Sequence, residues 1–278
     1  SEMCIRDRFY GYGTYANVIT ALEFERILSA SGPTQGKVIR PSDGKTPRSI
    51  AFVNCVGSRD ENACSYCSRV CCMYSVKEAV IAKEHEPAIK KRYVLYTDMR
   101  CFGKGFEDYY NRARKDGVIF VRGRASEIIE AHGENLIVRV EDTESSTLKE
   151  IKAELVVLSS AIVPEGKELA TALGIELNES GFFKSLHVNA HPVEASREGI
   201  YIAGCCQSPK DIPDTVTQAS AAAAKAAVPL VNSRVKEAPP PEESYVAGEP
   251  RIGVFVCHCG INIGSVVDVP SVIKYVKN

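Results

Sequence analysis

Residues 49–75 read SIAFVNCVGSRDENACSYCSRVCCMYS, an apolar run that delivers the chain into five cysteines, Cys55, Cys64, Cys67, Cys71 and Cys72. The opening residues, SIAFVNCV, predict a strand apolar enough to be buried on both faces, as inside a parallel sheet. A nucleotide-binding unit would continue into a glycine loop that lets pyrophosphate approach a helix N-terminus. Here only Gly57 is present and thiols follow. The stretch therefore predicts a nucleotide-like α/β unit whose phosphate position has been given to a metal centre, with weak or absent NAD(P) binding.

The flanking sequence supports that unit. A helix is expected from about Met73 to His85, with Pro87 as its stop. KRYVLYTDM reads as a second strand, FEDYYNRARKDG as a helix ending at Gly117, and VIFVRG as a third strand. Strand, helix, strand, helix, strand is the pattern of a doubly wound parallel sheet. SEIIEAHGENLIVRVED and LKEIKAELVVLSSA then predict antiparallel strands, turning at His132–Asn135, followed by a buried strand. GIYIAGC predicts one more short buried strand, and DTVTQASAAAAKAAVPLV an alanine-rich helix with one face small enough to approach a sheet or a cofactor. Upstream, NVITALEFERILSAS carries Val18, Leu22, Ile27 and Leu28 at helical spacing, and SGPTQGKVIRPSDGKTPRS is turn-rich. Gly11-Tyr12-Gly13-Thr14-Tyr15-Ala16 matches the G-x-G-x-x-A fingerprint, but charged residues precede it where a strand is required, so a glycine turn is expected.

Composition excludes some functions. The net charge is −1, from 34 basic and 35 acidic residues, which argues against a nucleic-acid footprint. No stretch approaches the roughly 18 apolar residues that a membrane span needs. The N-terminus does not read as an export signal, so the expected compartment is a reducing cytoplasm, where dense cysteines are metal ligands more often than disulfides. Zinc sites usually show two separated C-x-x-C pairs. The uneven spacing here suits an iron–sulfur cluster held by four thiolates, with zinc or metal-free thiols as the alternatives. Five cysteines compete for four places.

A second signal lies in residues 199–223, GIYIAGCCQSPKDIPDTVTQASAAA. Disulfide-reductase-type flavoproteins end on a strand reading roughly G-x-x-x-A-G-D before a helix whose N-terminus points at the flavin. Ala203-Gly204 is present, with Cys205 in place of the Asp, and Lys210-Asp211-Ile212-Pro213-Asp214-Thr215 opens the helix. An adjacent redox disulfide at Cys71-Cys72 is disfavoured, because neighbouring cysteines rarely close without strain.

YGYGTYANVITALEFERILSASGP, CVGSRDENACSYCSRVCCMYSVKEA and GIYIAGCCQSPKDIPDTVTQASAAAAKA together resemble the A subunit of heterodisulfide reductase, and the terminal RIGVFVCHCGINIGSVVDV resembles the opening of that same polypeptide. The resemblance implies a thioredoxin-reductase-like, two-dinucleotide-fold flavoprotein, present in part, that relays electrons between FAD, [4Fe-4S] clusters and partner subunits, with electron-pair splitting at the flavin in some complexes. On that pattern Cys55, Cys67, Cys71 and Cys72 are the cluster ligands and Cys64 is spare. Gly204, Cys205, Asp211, Ile212, Pro213 and Thr215 face the flavin, and no residue is assigned a catalytic role. The upstream flavin fingerprint is not among these residues, which predicts poor FAD binding by this chain alone. Implied partners are other heterodisulfide-reductase-like subunits and an electron-donating hydrogenase, formate dehydrogenase or ferredoxin-type protein. The contrasting expectation is a zinc-binding assembly module without redox activity. The expected organisation is an entry into the FAD domain over 1–46 (with 1–8 foreign in character), a cluster-bearing nucleotide-like domain over 47–157, a return into the FAD domain over 158–233, a proline-rich linker over 234–250, and the start of a second such module over 251–278.

Overall fold

The structure is a computed structural model that describes residues 9–131, 135–231, 252–258, 263–264 and 266–277. Its centre is a five-stranded sheet built from β1 (Val18–Thr20), β2 (Ser49–Val56), β3 (Lys91–Tyr96), β4 (Val118–Arg122) and β8 (Leu155–Ser160) in the order β1-β8-β2-β3-β4. All four pairings are parallel, so the expected α/β class and parallel sheet are present. All eight residues of β2 are buried, because layers cover both faces of the sheet.

Alternation along the strands sorts the core into two halves. Ile50 and Phe52 face the helices α1 (Ala21–Leu28), α2 (Cys71–His85) and α3 (Phe106–Lys115), packing with Phe24, Val76, Ala79 and Ala113. Ala51 and Val53 face the other way, onto a three-stranded antiparallel sheet of β5 (Ala125–Ala131), β6 (Asn135–Asp142) and β7 (Thr147–Ala153). Leu136, Val138 and Val140 of β6 fill that second half. Arg92 of β3 is buried and bonds through Nη1 to the Asp116 carboxylate (2.8 Å) and through Nη2 to the Asp116 carbonyl (2.8 Å).

Three expectations change. The helix expected over 17–31 starts as β1, and the helix proper begins after Thr20. Thr20 Oγ1 accepts the Glu23 N–H (3.1 Å), and the Glu23 carboxylate accepts the Thr20 N–H (2.7 Å), a capping box that marks the true start. Leu22, counted on the apolar stripe, is consequently 71% exposed. GIYIAGC forms no strand: a single bridge, Glu194↔Tyr201, is followed by a 3-10 turn at Gly204–Cys206, where Gly204 takes φ 79°. The strand expected at the start of 251–278 is likewise not formed over 252–258. Helix α6 (Val269–Val276) follows as expected.

Beyond β8, α4 (Lys167–Leu173) and the hairpin β9 (Ser185–His187) and β10 (His191–Ala195) enclose a small core of Ala170, Ile175, Phe183, Ala195 and Ile202. Helix α5 (Ile212–Ala227) is the expected alanine-rich helix, but none of its residues is buried; it lies against β10, where Lys225 pairs with Glu194 (2.9 Å). Residues 1–8, the turn residues 132–134, the linker at 234–250 and Cys259 lie outside the described residues. Among the described residues no helix is long and apolar enough to cross a membrane.

Candidate metal centre and adjoining cavity

The site forms where β2 ends. The β2–β8 register shifts between Val53 and Val56, and Cys55 within that irregularity takes φ 61°, a left-handed conformation that non-glycine residues rarely adopt. An irregularity of this kind re-aims a side chain at a strand end. The chain then runs through further left-handed residues, Gly57, Arg59 and Arg69, before α2 begins at Cys71. The loop is pinned on both sides. Ser58 and Ser68 share a buried hydroxyl bond (2.7 Å), Ser68 Oγ accepts the Ile162 N–H (2.9 Å), and the Tyr66 hydroxyl donates to the Ile162 carbonyl (2.7 Å). Beneath it Ser75 donates to Asn54 Oδ1 (2.7 Å) and lies 2.9 Å from Ser159 Oγ.

Of the four expected ligands, Cys55, Cys71 and Cys72 are buried and their thiols act on one another electrostatically. Interaction with Cys71 holds the Cys55 and Cys72 thiols below their ordinary range, helped at Cys55 by Thr97, Arg59 and Arg124 and at Cys72 by Arg100. Cys71 is pushed up by the same interactions and by burial. Cys71 and Cys72 also occupy the first turn of a 15-residue helix with no side-chain cap and no acidic residue there, where unsatisfied N–H groups favour thiolates. Cys67 is half-buried on the loop, its Sγ accepting the Arg69 N–H at 3.2 Å. Among the described residues no group of three or more Cys, His, Asp or Glu stands in coordinating geometry. Cys64 is buried, and its backbone closes the loop by bonding Gly57 O (3.1 Å).

The donor chemistry nonetheless fits a thiolate-bound, anionic metal centre. Thiolates are the required ligands, arginines surround them, and two buried donors of the cysteine segment, Asn54 Nδ2 and Arg69 Nε, have no acceptor. Cys101 lies near Cys72; burial and the Cys72 charge push its thiol up to about 11.

A cavity of about 790 Å³ adjoins this site. One wall is the N-terminal turn of α2, with Arg69, Met73 and Tyr74; another is the β3–α3 connection, with Phe102 and Phe106. The third wall carries Cys205, Asp211, Ile212, Pro213 and Thr215, five of the six residues expected to face a flavin. The sixth, Gly204, stands behind the wall. Its N–H donates to Gln218 Oε1 (2.8 Å), and a Cβ there would come within 3.2 Å of Thr215 Cγ2. Sequence reading placed Lys210 in the polar run that opens α5 without giving it a role of its own. Its buried ammonium bonds the Gly204 and Ser208 carbonyls and the Gln207 and Ser208 side chains (2.8–3.1 Å), and burial lowers its pKa. Asp211 caps α5 by accepting the Asp214 N–H (2.9 Å), the pattern that D-I-P-D advertises.

No protein-family model matches the chain. Among curated proteins, it is 52% identical over 236 residues to the first iron-sulfur A subunit of the CoB–CoM heterodisulfide reductase of Methanopyrus kandleri, covering 82% of this chain and 35% of that protein. It is 50% identical over 232 residues to the corresponding protein of Methanocaldococcus jannaschii, with the same coverages. It is 46% identical over 257 residues to the A subunit of the H2:CoB-CoM heterodisulfide,ferredoxin reductase of Methanothermobacter thermautotrophicus, covering 90% of this chain and 39% of that protein. Among solved structures, thioredoxin reductase of T. acidophilum aligns with a TM-score of 0.48 at 15% identity, covering 80% of this chain and 60% of that one. The chain spans about a third of the length of the curated relatives it matches. Over that third it belongs with the A subunits of heterodisulfide reductases.

Proposed function

We propose that this chain is the electron-relay segment of a heterodisulfide-reductase-type oxidoreductase, holding a [4Fe-4S] cluster on Cys55, Cys67, Cys71 and Cys72 and one face of a flavin in the adjoining cavity. The observation that carries the reading is that the thiol group and the cavity share one structural element, the first turn of α2. In the chain's own terms, Cys55 and Cys72 supply thiolates at neutral pH, and Cys71 gives up its proton when metal replaces it. The loop residue Cys67 closes in as fourth ligand. When bound, the cluster and flavin would supply one-electron transfer. The residues bind and orient them: Arg59, Arg100 and Arg124 offset negative charge around the thiolates, while Phe102, Ile212 and Pro213 give the cavity apolar walls against which a planar ring can lie. The organisation into a cluster-bearing unit over 47–157 and a flavin-facing return over 158–233 belongs to the same proposal. So do the partners, a ferredoxin-type protein and a hydrogenase- or formate-dehydrogenase-type donor, the classes to which names among the relatives refer. Splitting of electron pairs between two acceptors would be a property of the assembled complex.

The test is anaerobic purification with iron, sulfide and zinc analysis, beside a Cys67→Ala/Cys71→Ala variant. About four irons and four sulfides per chain, lost in the variant, are expected for one cluster. One zinc without sulfide would sink the reading and favour a structural module.

A further inference from the structure

Arg69 has contacts on both sides of the boundary between the two proposed cofactor positions. Its backbone is left-handed, φ 65°, which turns its N–H onto Cys67 Sγ (3.2 Å). Its side chain leaves the cysteine loop, lies over the Phe102 ring (4.7 Å from Cζ to the centroid) and ends on the carboxylate of Asp214. Asp214 stands in the first turn of α5, its own N–H held by the Asp211 cap. A single residue thus ties the segment between Cys67 and Cys71 to the helix that opens with Asp211, Ile212 and Pro213, across one end of the cavity.

Stability does not account for this arrangement. Both partners of the ion pair are more than a third exposed, and such pairs contribute little, whereas a left-handed non-glycine residue is costly. We propose that Arg69 is a positioning residue, a clasp that fixes the cysteine loop against the N-terminus of α5. It thereby sets the separation between the cluster and the flavin, and the proposal rests on the reading above. With both groups bound, Arg69 would make and break no bond; it would hold the residues that carry them at a fixed separation for one-electron transfer.

Three variants test it. R69G suits the left-handed backbone, so it removes the side chain without new strain; D214N replaces the charged acceptor with a neutral amide and so breaks the ion pair; R69K keeps a cation. In the metal-free chain, alkylation of the half-buried Cys67 should be several-fold faster in R69G and D214N than in the parent, with R69K close to the parent. In the full-length reconstituted protein, losing a cation in R69G should lower the cluster potential, and losing an anion in D214N should raise it. A clasp predicts that electron transfer from flavin to cluster slows in both variants despite those opposite shifts. A charge acting only through the potential predicts rates that move in opposite directions. Unchanged Cys67 alkylation in R69G and D214N, or rates that simply follow the potentials, would overturn the clasp. A parent chain that takes up no iron would instead overturn the functional reading, and the alkylation result would still decide whether the clasp exists.

Discussion

The two halves of the molecule carry their sites in opposite ways. Residues 49–160 bury an unbroken strand between two layers, and the cysteines are set at the end of that strand and the start of the helix packed on it. Residues after 160 gather a smaller core around one cluster of five buried apolar residues, and α5, which faces the cavity, buries none of its side chains. The first half holds its chemistry by packing. The second presents a capped helix start and a buried lysine, held by hydrogen bonds more than by apolar contact. On the proposed function a cluster would call for rigid ligands and a planar ring for a wall, a contrast that substitutions in each half can probe.

Core truncation should break the comparison most sharply. Phe52→Ala removes a fully buried ring packed edge-on against Phe24, and should cost about 3–5 kcal/mol in denaturant unfolding. Asp116→Ala should follow at about 3 kcal/mol, because it strands the buried Arg92 guanidinium without its carboxylate. An unchanged midpoint in denaturant would mean that Arg92 finds another partner.

Glu78 sharpens the same half by pH. Burial, with Glu25 adding and Lys77 opposing, raises its carboxyl to about 9, and its Oε2 has no partner. A raised carboxylate pKa means that the folded state binds the proton more tightly. Its contribution is therefore complete below the ordinary carboxylate range and is lost as pH rises toward 9. Glu78→Gln should flatten that loss and stabilise the chain by on the order of 3 kcal/mol at pH 7, with little change at pH 4. Equal effects at both pH values would show that the carboxyl is ionised in the folded state. The smallest effect belongs to the other half: Val216→Ala, on the exposed face of α5, should stay within about 0.5 kcal/mol.

The same contrast explains what could be read in the sequence. SIAFVNCV was legible as a buried parallel strand because an apolar run between turn signals has few other uses, and the helix after the cysteines followed from its stop at Pro87. The cysteine group was legible because thiol density is rare. Arg69 and Lys210 were not, since their roles depend on partners 145 residues away in one case and on a turn's carbonyls in the other. GIYIAGC was misread as a strand because its apolar alternation says nothing about whether an edge is available. The capping box at Thr20 and Glu23 was visible but lay hidden inside a longer apolar periodicity.

The strand order has a consequence for how the protein is made. β8 lies between β1 and β2, so an interior strand of the sheet is the last of its strands to be synthesised. Until it arrives, Ser75 lacks Ser159, and Ser68 and Tyr66 lack Ile162. At roughly 5–20 residues per second, the cysteine segment waits on the order of ten seconds on the ribosome with one wall open. Iron and sulfide delivered in that interval would meet a half-built cradle, and the arrival of β8 would shut it.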